Sequence, residues 1–264
     1  MAGRMTRSLV ESALLAALGT VLVLFGYYIP LLGPIAVFLW PIPSALVVLR
    51  HGVRWGFLSS IVTGLSLLLF MDWLTAIGLW VLFALTGVSF GYAVAKNYSP
   101  VAIILITSVA FLAGVLTSLA SVYLVAGFTP GNLVDSYIKA MESAVDINQK
   151  LLGDTPFLEQ FSNLSEVRDQ LIRILPGAIL LSALFQAYVN FEVARRVLER
   201  IGHSIAALEP FSRWIFPEFI AHSAIISYLL LMFEPYHKIV VLSRLGENAL
   251  IVLALVLFVQ TASV

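Results

Sequence analysis

The sequence predicts an all-α protein, a polytopic transmembrane helix bundle of about seven or eight spans with its N-terminus in the cytoplasm. Three observations carry that prediction. Of 264 residues, 60% are hydrophobic and 11% are charged, whereas a soluble domain carries about a quarter charged residues. Apolar runs long enough to cross a bilayer as helices recur along the whole length. The basic residues between those runs fall mostly on one side of the implied membrane.

Eight apolar segments are read in order, at 8–29, 34–50, 53–71, 74–95, 100–127, 174–195, 217–234 and 243–262. The start, MAGRMTRSLVESALLAALG, is basic and then apolar but lacks a small-residue cleavage site. It reads as a retained first span rather than a signal peptide. The second segment lies in YYIPLLGPIAVFLWPIPSALVVLRHG, with Pro30, Pro34, Pro41 and Pro43. Each proline removes a backbone donor and obstructs a continuing helix. Pro30 and Pro34 are expected to end the first span and turn the chain. Pro41 and Pro43, beside Trp40, are expected to break the second span. Irregular backbone at membrane depth survives only against protein or a wet cavity, so the freed carbonyls should face the bundle interior.

Small residues four apart mark close helix contacts in lipid. The third segment has Gly52, Gly56, Ser60 and Gly64; the fourth has Gly87, Gly91 and Ala95; the fifth has Ala110, Gly114 and Ser118. These read as packing ladders. Ala13 and Ala17, near the start of the first span, stand where a partner subunit can reach them. With the N-terminus inside, nine Lys and Arg residues fall on the cytoplasmic side and two in the short outer loops. Asp72, at the outer interface between the third and fourth segments, reads as a loop residue and a candidate cap for the helix that follows.

Residues 128–173 form the one sizeable insertion, read as an extracytoplasmic cap of two amphipathic helices on a single integral membrane domain, 1–264. Leu133, Val134, Tyr137, Ile138, Met141 and Val145 recur at helical spacing, and Phe157, Leu158, Phe161, Leu164, Leu171 and Ile172 do so more loosely. Thr129-Pro130 and Thr155-Pro156 read as N-caps followed by proline at the first helical position. The sixth segment holds Gln186 and Asn190 one turn apart, then Glu192 beside Arg195 and Arg196. Polar groups at depth face the interior, where they bond neighbouring helices or a ligand. Glu192 is expected to pair with the adjacent arginines.

Other chemistries lack their signatures. There is no cysteine, no phosphate-binding glycine loop and no HExxH. Glu218 and His222 alone are too few for a metal site. The formal charge balance is zero, which suggests no nucleic-acid partner. No cofactor, metal or catalytic set is expected, and the chain is read as a non-enzyme.

Taken together, YYIPLLGPIAVFLWPIPSALVVLRHGVRWG, LPGAILLSALFQAYVNFEVARRVLERIG and PFSRWIFPE resemble the YybS-like family of predicted bacterial membrane proteins, over essentially the whole chain. Members of that family usually continue past the point where this chain stops, so a final helix is expected to be missing here. The family is in turn distantly similar to the S subunits of energy-coupling-factor transporters. Those bind a vitamin or metal and dock on a shared coupling subunit and ATPase, commonly through an AxxxA pattern in the first span. Ala13 and Ala17 match it. The resemblance implies a substrate-binding subunit in the plasma membrane with separate ATPase partners. Interrupted helices often border transporter sites, so Trp40, Pro41, Pro43, Gln186 and Asn190 are the candidate ligand-binding residues for an unidentified small molecule. The alternative is a structural or assembly factor of the cell envelope with no ligand.

Overall fold

The computed structural model describes residues 2–29, 33–152, 164–209, 218–232 and 240–262. All regular structure among them is helical: α1 (Ala2–Tyr28), α2 (Gly33–Leu39), α3 (Pro41–His51), α4 (Val53–Leu67), α5 (Trp73–Ala95), α6 (Pro100–Ala126), α7 (Pro130–Leu152), α8 (Leu164–Arg200), α9 (Phe219–Met232) and α10 (Val240–Ala262). Among the described residues, four stretches have the length and composition to cross a membrane: Met5–Tyr28, Trp73–Ala95, Pro100–Ala126 and Leu164–Arg200. The expected second and third spans are shorter. The second is divided into helices of 7 and 11 residues, and the third is a helix of 15. Fifteen residues rise about 22 Å, less than the ~30 Å hydrocarbon core. The expected sixth span lies inside the single 37-residue helix α8, about 55 Å long.

The chain divides into two compact units, one of residues 1–122 and 182–208 and the other of residues 123–181 and 209–264. In the first unit, α3 packs against α1, α4 and α5. Small residues set those distances. A Cβ on Gly91 would stand 2.8 Å from Ala45 Cα, and one on Gly87 would stand 2.9 Å from the Pro41 carbonyl. On α4, Gly56 faces Val48 and Gly64 faces the Trp80 ring. On α6, Gly114 lies against Leu82, and Ser118 Oγ donates to the Gly78 carbonyl at 3.0 Å. The ladders read from sequence are therefore contact surfaces, with two exceptions. Ala95 is exposed. Gly52 lies between α3 and α4 with φ 91° and open space around it, so it serves the turn.

Hydroxyl groups add polar contacts of the kind that join helices in lipid. Ser59 Oγ donates to the Ser12 carbonyl and Thr63 Oγ1 to the Ala16 carbonyl, both at 3.1 Å, tying α4 to α1. Two apolar clusters fill this unit. One gathers Val23, Trp40, Leu67, Ala76 and Phe83. The other includes Ile42, Leu46, Phe90, Ile103, Phe191 and Leu198. Along α5 the change from one cluster to the other falls between Phe83 and Phe90, and along the second segment it falls between Trp40 and Ile42.

In the second unit, α7 starts as its sequence specifies. Thr129 Oγ1 accepts from the Asn132 N–H at 3.2 Å, and Asn132 Oδ1 accepts from the Thr129 N–H at 2.7 Å. This is a reciprocal cap at the start of the helix. Val134 and Ile138 are buried while Leu133 and Tyr137 are exposed, so the inward stripe is narrower than the run of apolar residues. Arg168 Nε donates to Asp135 Oδ1 at 2.5 Å, linking α7 to the start of α8. Helices α9 and α10 pack together, with Gly246 so close that a Cβ would stand 2.5 Å from the Ser227 carbonyl. Pro30, Thr155-Pro156, Phe157, Leu158 and Phe161 lie outside the described residues. Pro34 is the second residue of α2, so it sits at a helix start.

Candidate functional site

Pro41 and Pro43 have no N–H, so the carbonyls four residues earlier, at Val37 and Leu39, lose their helical donors. The chain nevertheless keeps helical torsions at Trp40 (φ −60°, ψ −28°), and the Trp40 N–H bonds the Ala36 carbonyl at 2.8 Å. The break in the second segment is thus a break in hydrogen bonding more than in direction. Gln186 of α8 fills one gap: its Nε2 donates to the Val37 carbonyl at 3.0 Å and to Asn190 Oδ1 at 3.2 Å.

The five candidate binding residues lie on the second segment and on α8, which meet where Gln186 bonds the Val37 carbonyl. Pro41 and Pro43 are buried, Trp40 is 5% exposed and Asn190 is 1% exposed. Trp40 lies in one apolar cluster, while Asn190 adjoins Phe191 of the other. Two donors here, Trp40 Nε1 and Asn190 Nδ2, have no hydrogen-bond partner among the described residues. An unpaired buried donor costs about 1–3 kcal/mol.

Ala13 and Ala17 are both exposed on α1, beside exposed Leu9, Leu14 and Leu18. The opposite face, with Ser12, Ala16, Thr20 and Val23, is buried. Asp72 accepts from the Thr75 N–H at 3.0 Å and caps α5. That bond holds its carboxyl below the usual carboxylate range. Glu192 pairs with Arg195 at 3.1 Å and Arg196 at 3.7 Å, as its spacing suggests. His222 turns Nδ1 to the Glu218 backbone carbonyl at 2.9 Å. Among the described residues no three His, Cys, Asp or Glu side chains gather for a metal.

Two constellations are not visible in the sequence. The first is at Pro176, inside α8. Asn248 Oδ1 accepts from the Gly177 N–H at 2.6 Å, and its Nδ2 donates to the carbonyls of Arg173 at 2.9 Å and Arg244 at 2.7 Å. Gly177 N–H and the Arg173 carbonyl are the two groups that would otherwise bond each other in the helix. The proline was readable; the Asn248 amide, 71 positions beyond Gly177, was not.

The second is an open cleft of 620 Å³ lined by Arg7, Ser8, Glu11, Arg50 and His51. Ser8 Oγ stands 3.0 Å from His51 Nδ1, and His51 Nε2 stands 2.9 Å from Glu11 Oε2. Arg7 Nε donates to Glu11 Oε1 at 2.9 Å, and Arg50 Nη1 lies 3.7 Å from Glu11 Oε2. The connectivity is that of a hydroxyl, a base and an orienting carboxylate. Ser8, however, stands inside α1, where helical backbone N–H groups are spent on carbonyls four residues back, so no backbone pair faces an oxyanion.

The chain is 24% identical over 267 residues to the "Uncharacterized protein YybS" of Bacillus subtilis (strain 168), covering 98% of this chain and 84% of that protein. No solved structure matches. The profile described as "Predicted membrane protein (DUF2232)" matches residues 17–264, and with nearly the whole helical chain inside that match, the protein belongs to the DUF2232 family of predicted membrane proteins.

Proposed function

We propose that this protein is the substrate-binding subunit of a transport system in the bacterial plasma membrane, with its N-terminus in the cytoplasm. In this reading it is similar in plan to the S subunits of energy-coupling-factor transporters, and separate coupling and ATPase subunits drive it. It has no catalytic role of its own. The observation that carries the reading is the pair of buried donors, Trp40 Nε1 and Asn190 Nδ2, beside the proline-interrupted second segment. A polar group retained at such a cost suits recognition of a ligand. The exposed Ala13–Ala17 face supplies a surface for the coupling subunit.

The rival reading, a structural or assembly factor with no ligand, is favoured by a different observation. Gln186 already satisfies the Val37 carbonyl, and the neighbouring helices approach to glycine-limited distances. Mass spectrometry of small molecules that copurify with the full chain separates the two. A metabolite enriched with the wild type and lost from Asn190→Leu supports binding. A preparation that carries the same small molecules in both forms overturns it. Ala13→Leu with Ala17→Leu should release the coupling subunit from a mild-detergent pull-down while leaving the unfolding temperature unchanged.

A further inference from the structure

The cleft at the N-terminal end of α1 is independent of the site near Trp40, and its wiring has a direction. Glu11 has both oxygens engaged, Oε1 by Arg7 and Oε2 by His51. Arg7 spends only its Nε on that bond, and its side chain is 79% exposed. The Arg50 guanidinium lies beyond hydrogen-bond reach of Glu11, at 3.7 Å, and is 40% exposed. Among the described residues Arg50 makes no hydrogen bond. Two guanidinium groups therefore present unused N–H donors to a 620 Å³ cleft. Among the described residues that line it, the one carboxylate, Glu11, is already occupied. Two positive charges against one negative leave the cleft net positive even with His51 neutral.

Guanidinium forks bind carboxylates and phosphates in bidentate fashion, and a phosphate offers oxygens enough for two forks at once. The position agrees. Arg7 and Ser8 lie in the first turn of the Met5–Tyr28 stretch, and Arg50 and His51 are the last residues of α3. A boundary of that kind is where lipid headgroups sit and where arginines extend toward them. We propose that Arg7 and Arg50, with the Ser8 hydroxyl, form a binding site for a phosphate monoester or diester, either a phospholipid headgroup or a soluble phosphate. The Glu11–His51 pair holds α1 against α3 and sets the separation of the two arginines.

The test is native mass spectrometry of the full chain in detergent, titrated with phosphatidic acid or with diacylglycerol of the same acyl chains. Phosphatidic acid should be retained about tenfold better than diacylglycerol. Arg50→Gln should erase that preference, and because Arg50 makes no hydrogen bond the unfolding temperature should stay unchanged. Arg50→Lys should keep part of the preference, since charge remains but the fork is lost. Glu11→Gln should increase retention by removing the competing carboxylate, an effect opposite to that of general damage. Added glycerol 3-phosphate that displaces the lipid identifies a soluble phosphate as a sufficient ligand; failure to displace it identifies the lipid headgroup. Equal retention of phosphatidic acid and diacylglycerol, or equal retention by wild type and Arg50→Gln, overturns the site.

Discussion

Hydrogen bonding is interrupted at two places in this protein, at Pro41 with Pro43 and at Pro176, and at each a carboxamide from a distant helix bonds the backbone. At Pro176 that amide is fully used. Asn248 takes the Gly177 N–H and gives to the carbonyls of Arg173 and Arg244, so its donors and acceptor are all engaged. At Pro41 the bonding is partial. Gln186 supplies the Val37 carbonyl, but Asn190 Nδ2 and Trp40 Nε1 remain unpaired and buried. A satisfied amide at a helix break is a structural seal, as side chains that insert into the ladder show generally. An amide group with donors to spare, at 1% exposure, costs stability unless something else uses it. The contrast separates, within one chain, an amide whose groups are all bonded from one that keeps a buried donor unpaired.

The largest expected effect tests the seal. Asn248→Leu strands the Gly177 N–H and the Arg173 carbonyl and should cost about 3 kcal/mol, read as a lower unfolding temperature in detergent. Asn248→Asp keeps the acceptor for Gly177 but loses the donors, and should fall between the two. Next is the close approach of α3 and α5. Gly91→Ala places a Cβ 2.8 Å from Ala45 Cα and should cost about 1–3 kcal/mol through forced separation. The third experiment strikes the partial repair. Gln186→Leu leaves the Val37 carbonyl unpaired, at about 1–2 kcal/mol. Asn190→Leu removes an unpaired donor together with the Oδ1 that accepts from Gln186, and should cost about 1 kcal/mol, less than Asn248→Leu. If Asn190→Leu destabilises as much as Asn248→Leu, the two breaks are equivalent and the contrast fails.

The smallest effect concerns α7. The Arg168 guanidinium bonded to Asp135 holds that carboxyl below its usual range. A depressed carboxylate stabilises the folded state above its unfolded pKa, and that contribution disappears as pH falls through the folded value. Both side chains are more than a third exposed, so solvent screens the pair. Acid titration of the unfolding temperature should show a shallower decline for Asp135→Asn than for wild type. Identical acid limbs would remove the pair from the account of how α7 is held to α8.

Several features were legible residue by residue. The Thr129-Pro130 cap, the Asp72 cap and the Glu192 ion pairs form as their spacing indicates, because each joins groups within four positions on one helix. The glycines at 56, 64, 87, 91 and 114 were recognisable as contact points, though not what each would touch. Gln186 and Asn190 stood out because amides are costly among apolar residues. Asn248 and the Glu11–His51 pair did not. Asn248 sits near Arg244 and Glu247 in a stretch already polar, and Glu11 and His51 are 40 positions apart. The second and third segments were apolar enough to suggest spans, but hydropathy records composition and not where a helix stops.

By itself the sequence determined the solvent, the helical class and the points of interruption. Those follow from local chemistry: apolar runs need lipid or protein around them, and proline lacks an N–H wherever it occurs. Only the tertiary structure decided which interruption is sealed and which retains free donors. That depends on whether a distant amide arrives with the right atoms facing the gap, and no periodicity along the chain encodes the meeting of Gln186 with Val37 or of Asn248 with Gly177.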